Sequence, residues 1–82
     1  MAGIDGVERE LYRKQLEAMR ESVQDRILQL EVEFDQCNRR ARKALNAVEF
    51  SGYELARKQQ QAAAASLIRC RRRLREIEAE LM

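Results

Sequence analysis

Two cysteines, fourteen carboxylates and no histidine are the groups with which this 82-residue chain would have to do covalent or metal chemistry. Histidine is the usual acid–base catalyst near neutral pH and the commonest zinc ligand, so its absence removes both routes at once. Cys37 and Cys70 are distant in sequence, and no other cysteine lies near either to complete a zinc site. Each falls inside a helical apolar pattern, which reads as a small core residue and not as a redox pair. No catalytic residue, metal or cofactor is therefore expected, and an enzyme is not. What remains is the chemistry of association, carried by apolar stripes and by strongly segregated charge.

The elements that carry those stripes follow from composition. With no proline, three glycines, 37% charged and 45% hydrophobic residues, the chain suits long amphipathic helices. The expected fold is all-α, one antiparallel two-helix hairpin over residues 1–82, with helix 1 at about 6–49, a turn at about 50–52 and helix 2 at about 53–81. Ser51-Gly52-Tyr53-Glu54 has the form of a capping box, and Phe50 and Leu55 stand where a hydrophobic staple would sit. Asp5-Gly6-Val7-Glu8 repeats that cap chemistry at the first helix start. The alternative to a hairpin is one continuous helix in a parallel coiled coil.

Helix 1 carries apolar residues at Tyr12, Leu16, Met19, Val23, Ile27, Leu30, Phe34, Cys37, Ala41, Leu45 and Val48. Tyr12, Val23, Phe34 and Leu45 recur every eleven residues, predicting a nearly straight helix. Helix 2 reads Tyr53, Ala56, Gln60, Ala63, Leu67, Cys70, Leu74, Ile77 and Leu81, a seven-residue seam. A turn at Ser51 sets Ala41 near Ala62, Phe34 near Cys70 and Leu30 near Leu74, with the two cysteines too far apart for a disulfide. Small residues then oppose small ones beside the turn, and bulky ones fill the seam beyond.

Charge divides along the chain. Residues 5–35 hold nine acids and five bases, residues 36–75 hold eleven bases and two acids, and residues 76–82 add three glutamates. The run Arg69, Arg71, Arg72, Arg73 and Arg75 is expected beside Glu31, Glu33 and Asp35. Arg39, Arg40, Arg42 and Lys43 have no such answer, and with Arg69, Arg72 and Arg73 they form a possible basic patch. As phosphate contacts these would support a nucleic-acid reading, but no recognition-helix or RNA-binding aromatic motif accompanies them.

Helix 1 outruns helix 2, so an N-terminal overhang is expected with no intramolecular cover. Its apolar residues Val7, Leu11, Tyr12, Leu16 and Met19 are the candidate partner-binding surface, for a protein partner or a second copy. Met1-Ala2-Gly3-Ile4-Asp5-Gly6 lacks the apolar core of a signal peptide, and no run is long enough to span a bilayer. A cytoplasmic chain without membrane insertion is expected.

Phe50 to Ile68 opens on an aromatic residue and runs through Gln59, Gln60 and Gln61 into Ala62 to Ala65, Leu67 and Ile68, while Arg39-Arg40-Ala41-Arg42-Lys43-Ala44-Leu45 closes helix 1. This layout resembles the small helical-hairpin co-chaperones of type III secretion needle subunits. The resemblance covers about half the chain. It implies pairing with a helical-repeat chaperone, the two together keeping an aggregation-prone helical export substrate monomeric. A coiled-coil stalk or scaffold element of a secretion or ATPase assembly has the same architecture.

Overall fold

The computed structural model describes the backbone of residues 2–82 and the side chains of residues 6–82. Two helices, α1 (Ala2–Asn46) and α2 (Phe50–Leu81), pack side by side and antiparallel as a hairpin measuring 70 × 15 × 14 Å. The continuous-helix alternative is thereby removed. Among the described residues, no helix is long and apolar enough to cross a membrane.

The reversal occupies residues 47–49, earlier than the expected 50–52. The Glu49 N–H donates to the Ala44 carbonyl at 2.8 Å, and the Val48 N–H donates to the Leu45 carbonyl at 3.1 Å. This paired closure, one bond spanning the other, satisfies the last carbonyls of α1 and requires a left-handed residue between helix and exit. Val48 supplies it at φ 59°. A β-branched residue is poorly suited to that region, so the turn stores strain on the order of 1–2 kcal/mol.

The expected capping box does not form. Glu49, not Ser51, stands at the N-cap of α2 and makes no side-chain cap bond, while the Tyr53 N–H closes the first helical turn onto the Glu49 carbonyl at 3.0 Å. Ser51 and Gly52 lie inside the first turn of α2, and Phe50 and Leu55 are exposed, so the staple is absent too. The closure at Ala44–Glu49 ends α1 early, and the exit direction it sets lets α2 begin before the serine. At the other terminus α1 begins at Ala2 and runs through Asp5 and Gly6; the proposed Asp5 cap lies outside the described side chains.

Moving the turn shifts the register. Ile27, Leu30 and Leu67 form the buried centre, with Val23, Cys70 and Leu74 packed against it. The expected pairings of Phe34 with Cys70 and Leu30 with Leu74 therefore slide by more than a helical turn. The eleven-residue rhythm of α1 is also corrected. Leu16, Val23, Leu30, Cys37 and Ala44 recur every seven residues on the side facing α2, with Ile27 and Ala41 between them, whereas Leu45 and Tyr12 are about half exposed. Two helices sharing one narrow seam select the seven-residue spacing, and of the eleven-spaced residues Val23 stays in it while Tyr12 and Leu45 fall to its edge.

The seam of α2 lies where its spacing placed it. Ala56, Gln60, Ala63, Leu67 and Ile77 are buried, and Tyr53, Cys70, Leu74 and Leu81 are partly so. Ala41, Ala44, Ala56 and Ala63 are the alanines buried beside the turn, where small side chains permit close approach, and Leu30, Leu67 and Ile77 are buried further along the seam. Each fully buried aliphatic side chain contributes roughly 1.5–3 kcal/mol. Gln60 is the one buried polar residue described, and the Arg57 Nη1 donates to its Oε1 at 2.7 Å. Cys37 is buried and Cys70 partly buried, both as free thiols.

The turn makes the glycine distribution testable. A Cβ added at Gly52 would meet the Ala44 Cβ at 3.6 Å, an ordinary contact, and Gly52 has no positive φ. Gly52→Ala should therefore stabilise the hairpin by about 0.5–1 kcal/mol through helix propensity. Val48→Gly should gain about 1 kcal/mol by removing the left-handed strain. Thermal unfolding followed by circular dichroism checks both, with a rise of about 4–8 °C per kcal/mol expected for a domain this size.

Candidate functional site

The uncovered surface begins where α2 ends. The Tyr12 hydroxyl donates to Glu80 Oε2 at 3.1 Å, and Arg13 Nη1 donates to the Leu81 carbonyl at 3.5 Å, so the last turn of α2 lies beside Tyr12 and Arg13. One turn earlier, Arg9 and Glu10 still share a shallow surface cavity with Glu80 and Leu81. Val7 and Leu11 stand one turn apart on this segment, each 57% exposed.

The five residues expected on the overhang divide accordingly. Val7 and Leu11 lie on it, Tyr12 marks its boundary at 54% exposure, and Met19 sits at the edge of the seam at 37%. Leu16 does not belong to it. At 4% exposure it is buried in the intramolecular seam, because the earlier turn carries α2 further along α1 than a turn at Ser51 would have done.

Tyr12 is electrostatically coupled to the end of α2. The hydrogen bond to Glu80 and the charge of that carboxylate, with a little burial, raise the phenol above its ordinary value of 10.0, and Arg73 partly offsets them. The neutral phenol is the bonded form. Its link to α2 is thus fully present below the ordinary tyrosine range and is lost as pH rises through the raised value.

The basic residues do not gather into one patch. Arg39 pairs with Asp35 at 3.0 Å, Arg40 donates to Cys37 Sγ at 3.4 Å, Arg69 donates to Ser66 Oγ at 2.9 Å, and Arg73 pairs with Glu76 at 3.5 Å. Arg42, Lys43 and Arg72 are exposed. Adjacent helical residues point about 100° apart, so Arg71, Arg72 and Arg73 face three directions. The expected answer from Glu31, Glu33 and Asp35 is also reduced. Among the described residues only Arg71 to Glu31, at 3.4 Å, joins the two helices as an ion pair, while Glu33 pairs with Arg26 and Asp35 with Arg39, both on α1.

A feature not singled out from sequence lies on the outer faces. Leu28 and Val32, one turn apart on α1, are 61% and 56% exposed, on the side turned away from α2. Their signal in the sequence is an apolar pair out of phase with the main stripe, which the longer stripe conceals.

The coupling of Tyr12 to Glu80 predicts a shift in titration. In a Tyr53→Phe background, where Tyr12 is the only phenol, Glu80→Ala should lower the Tyr12 midpoint in an ultraviolet absorbance titration. An unchanged midpoint would mean that the two side chains do not meet in solution.

Comparison with models of protein families, with curated proteins and with solved structures returns no match to this chain, so its function rests on the geometry just described.

Proposed function

We propose that the chain is a non-catalytic protein-binding hairpin, an adaptor or co-chaperone that seats the uncovered end of α1 on a helical partner protein. One observation carries this reading: Val7 and Leu11 form an apolar ridge near the start of α1, each more than half exposed and in the same seven-residue columns as Leu28 and Val32, on the side turned away from α2. Placing large aliphatic side chains there has no benefit for the hairpin itself, and their burial against a partner would contribute roughly 1.5–3 kcal/mol each. Tyr12 and Met19 extend the ridge towards the seam, and Tyr12 adds a rigid aromatic surface of the kind enriched in binding hot spots.

The partner class follows from the same geometry. A single exposed helix offering residues at four-residue spacing fits a groove between helices, the mode in which an amphipathic helix buries one face. A helical-repeat chaperone presents such grooves. The likeness of Phe50 to Ile68 and of Arg39 to Leu45 to the type III secretion needle co-chaperones supports that partner. Phosphate binding has less support, since the arginines fan around the helices and several are engaged locally.

The test uses the whole chain. Wild type and a Val7→Glu plus Leu11→Glu variant are used to capture partners from the source cells, and a captured protein is then purified and titrated against each. Loss of two buried aliphatic contacts should weaken that binding by about 100-fold or more. Equal affinity of the variant, with helicity unchanged by circular dichroism, would overturn the proposal.

A further inference from the structure

The charge segregation of this chain is not consumed inside the hairpin. Nine acids precede residue 36 and eleven bases follow it, yet one ion pair joins the helices among the described residues. Several of the others pair along their own helix, Asp35 with Arg39 among them, and part of the remainder is displayed on the two outer faces. On α1, Glu21, Asp25, Leu28, Val32 and Asp35 follow one another at four- and three-residue intervals and all are exposed. On α2, Lys58, Ala62, Ala65, Arg69 and Arg72 do the same. These are second seven-residue stripes, each on the side of its helix opposite the buried seam.

The two stripes complement each other in size and in sign. The α1 stripe has two large aliphatic residues between carboxylates, and the α2 stripe has two alanines between bases. Laid antiparallel, with Leu28 over Ala65 and Val32 over Ala62, they set Glu21 beside Arg72, Asp25 beside Arg69 and Asp35 beside Lys58. The parallel arrangement is poorer: it pairs Asp25 with Lys58 and Asp35 with Arg69, but it sets Glu21 against Leu55 and brings Arg39 against Arg72. Large side chains set over alanines allow close helix approach, and the flanking charges select orientation as they do in paired helices.

We propose that the outer face of α1 docks on the outer face of α2 of a second copy of this chain. The interface is heterologous, because each copy uses a different surface on either side. A pair therefore leaves one acidic and one basic stripe free, and copies add in a row unless the rotation between them closes a ring. The apolar content is four side chains, two of them alanine, so the association is weak and depends on the charges and on ionic strength. Val7 and Leu11 continue the same side of α1, but in this register the α2 of the second copy ends opposite residues 12–13, so the ridge lies past the contact.

Sedimentation velocity on the full chain, at low salt and over concentrations up to about 1 mM, tests the proposal, since weaker association would have no measurable reach. Wild type should show a mass that rises with concentration and falls on adding salt. Glu21→Arg plus Asp25→Arg should weaken self-association at least about tenfold, as should Arg69→Glu plus Arg72→Glu, because each places like charges across the contact. Mixing the two variants in equal amounts should restore association, because opposite charges then face each other at every contact. All the altered residues are exposed, and circular dichroism confirms that the hairpin persists. A wild type that stays monomeric throughout overturns the proposal. So does an association that survives both reversals, or one abolished by Leu11→Glu alone, which would place self-association at the N-terminal ridge instead.

Discussion

The whole geometry depends on the pair of hydrogen bonds by which Ala44 and Leu45 receive the N–H groups of Glu49 and Val48. In a two-helix hairpin the turn sets every pairing in the seam, because there is no third element to correct it. A reversal at residues 47–49 brings Leu30 and Leu67 together, carries the end of α2 to Tyr12 and Arg13, and buries Leu16. The length of α1 left uncovered is a consequence of where that closure sits. It is made through a valine held at positive φ, so the chain accepts local strain in return for a definite stop.

Packing along the seam is graded. Alanines are buried beside the turn, and leucine and isoleucine in the middle and far portions, with Ile77 and Leu30 almost wholly buried. A chain this short buries a limited core, and side chains such as Leu28, Val32 and Ile68 stay more than half exposed. The hairpin stands as a single layer, one side chain thick, with most of each helix facing solvent. Such a layer has two outer faces and two edges to present to other proteins, which is why charge and apolar pattern on those surfaces carry the functional reading.

The helical hairpin, the seam of α2 and the grading from small to large residues were all legible in the sequence, because three- and four-residue spacing over thirty residues leaves little freedom of phase. The turn was misplaced by three residues. Ser51, Gly52 and Glu54 have the chemistry of a helix start, but a cap signal competes with whatever ends the previous helix, and nothing in Val48 announces a left-handed residue. That small error doubled in the register, since both arms shift together, and it placed Leu16 on the overhang. The seven-residue seam of α1 was hidden for a related reason. Leu45 looks like a core residue by type, yet a single narrow partner covers only the central line of a helix, leaving Leu45 at 49% exposure.

The grading of the seam also bears on the order in which the hairpin forms. Contacts beside the turn close the shortest loops but join alanines, so they return little free energy when made. The cluster of Ile27, Leu30 and Leu67 requires a longer loop and returns much more. Closure entropy grows only slowly with loop length, so the larger burial decides, and the free energy returned for each residue ordered is greater at the middle of the hairpin than at its tip.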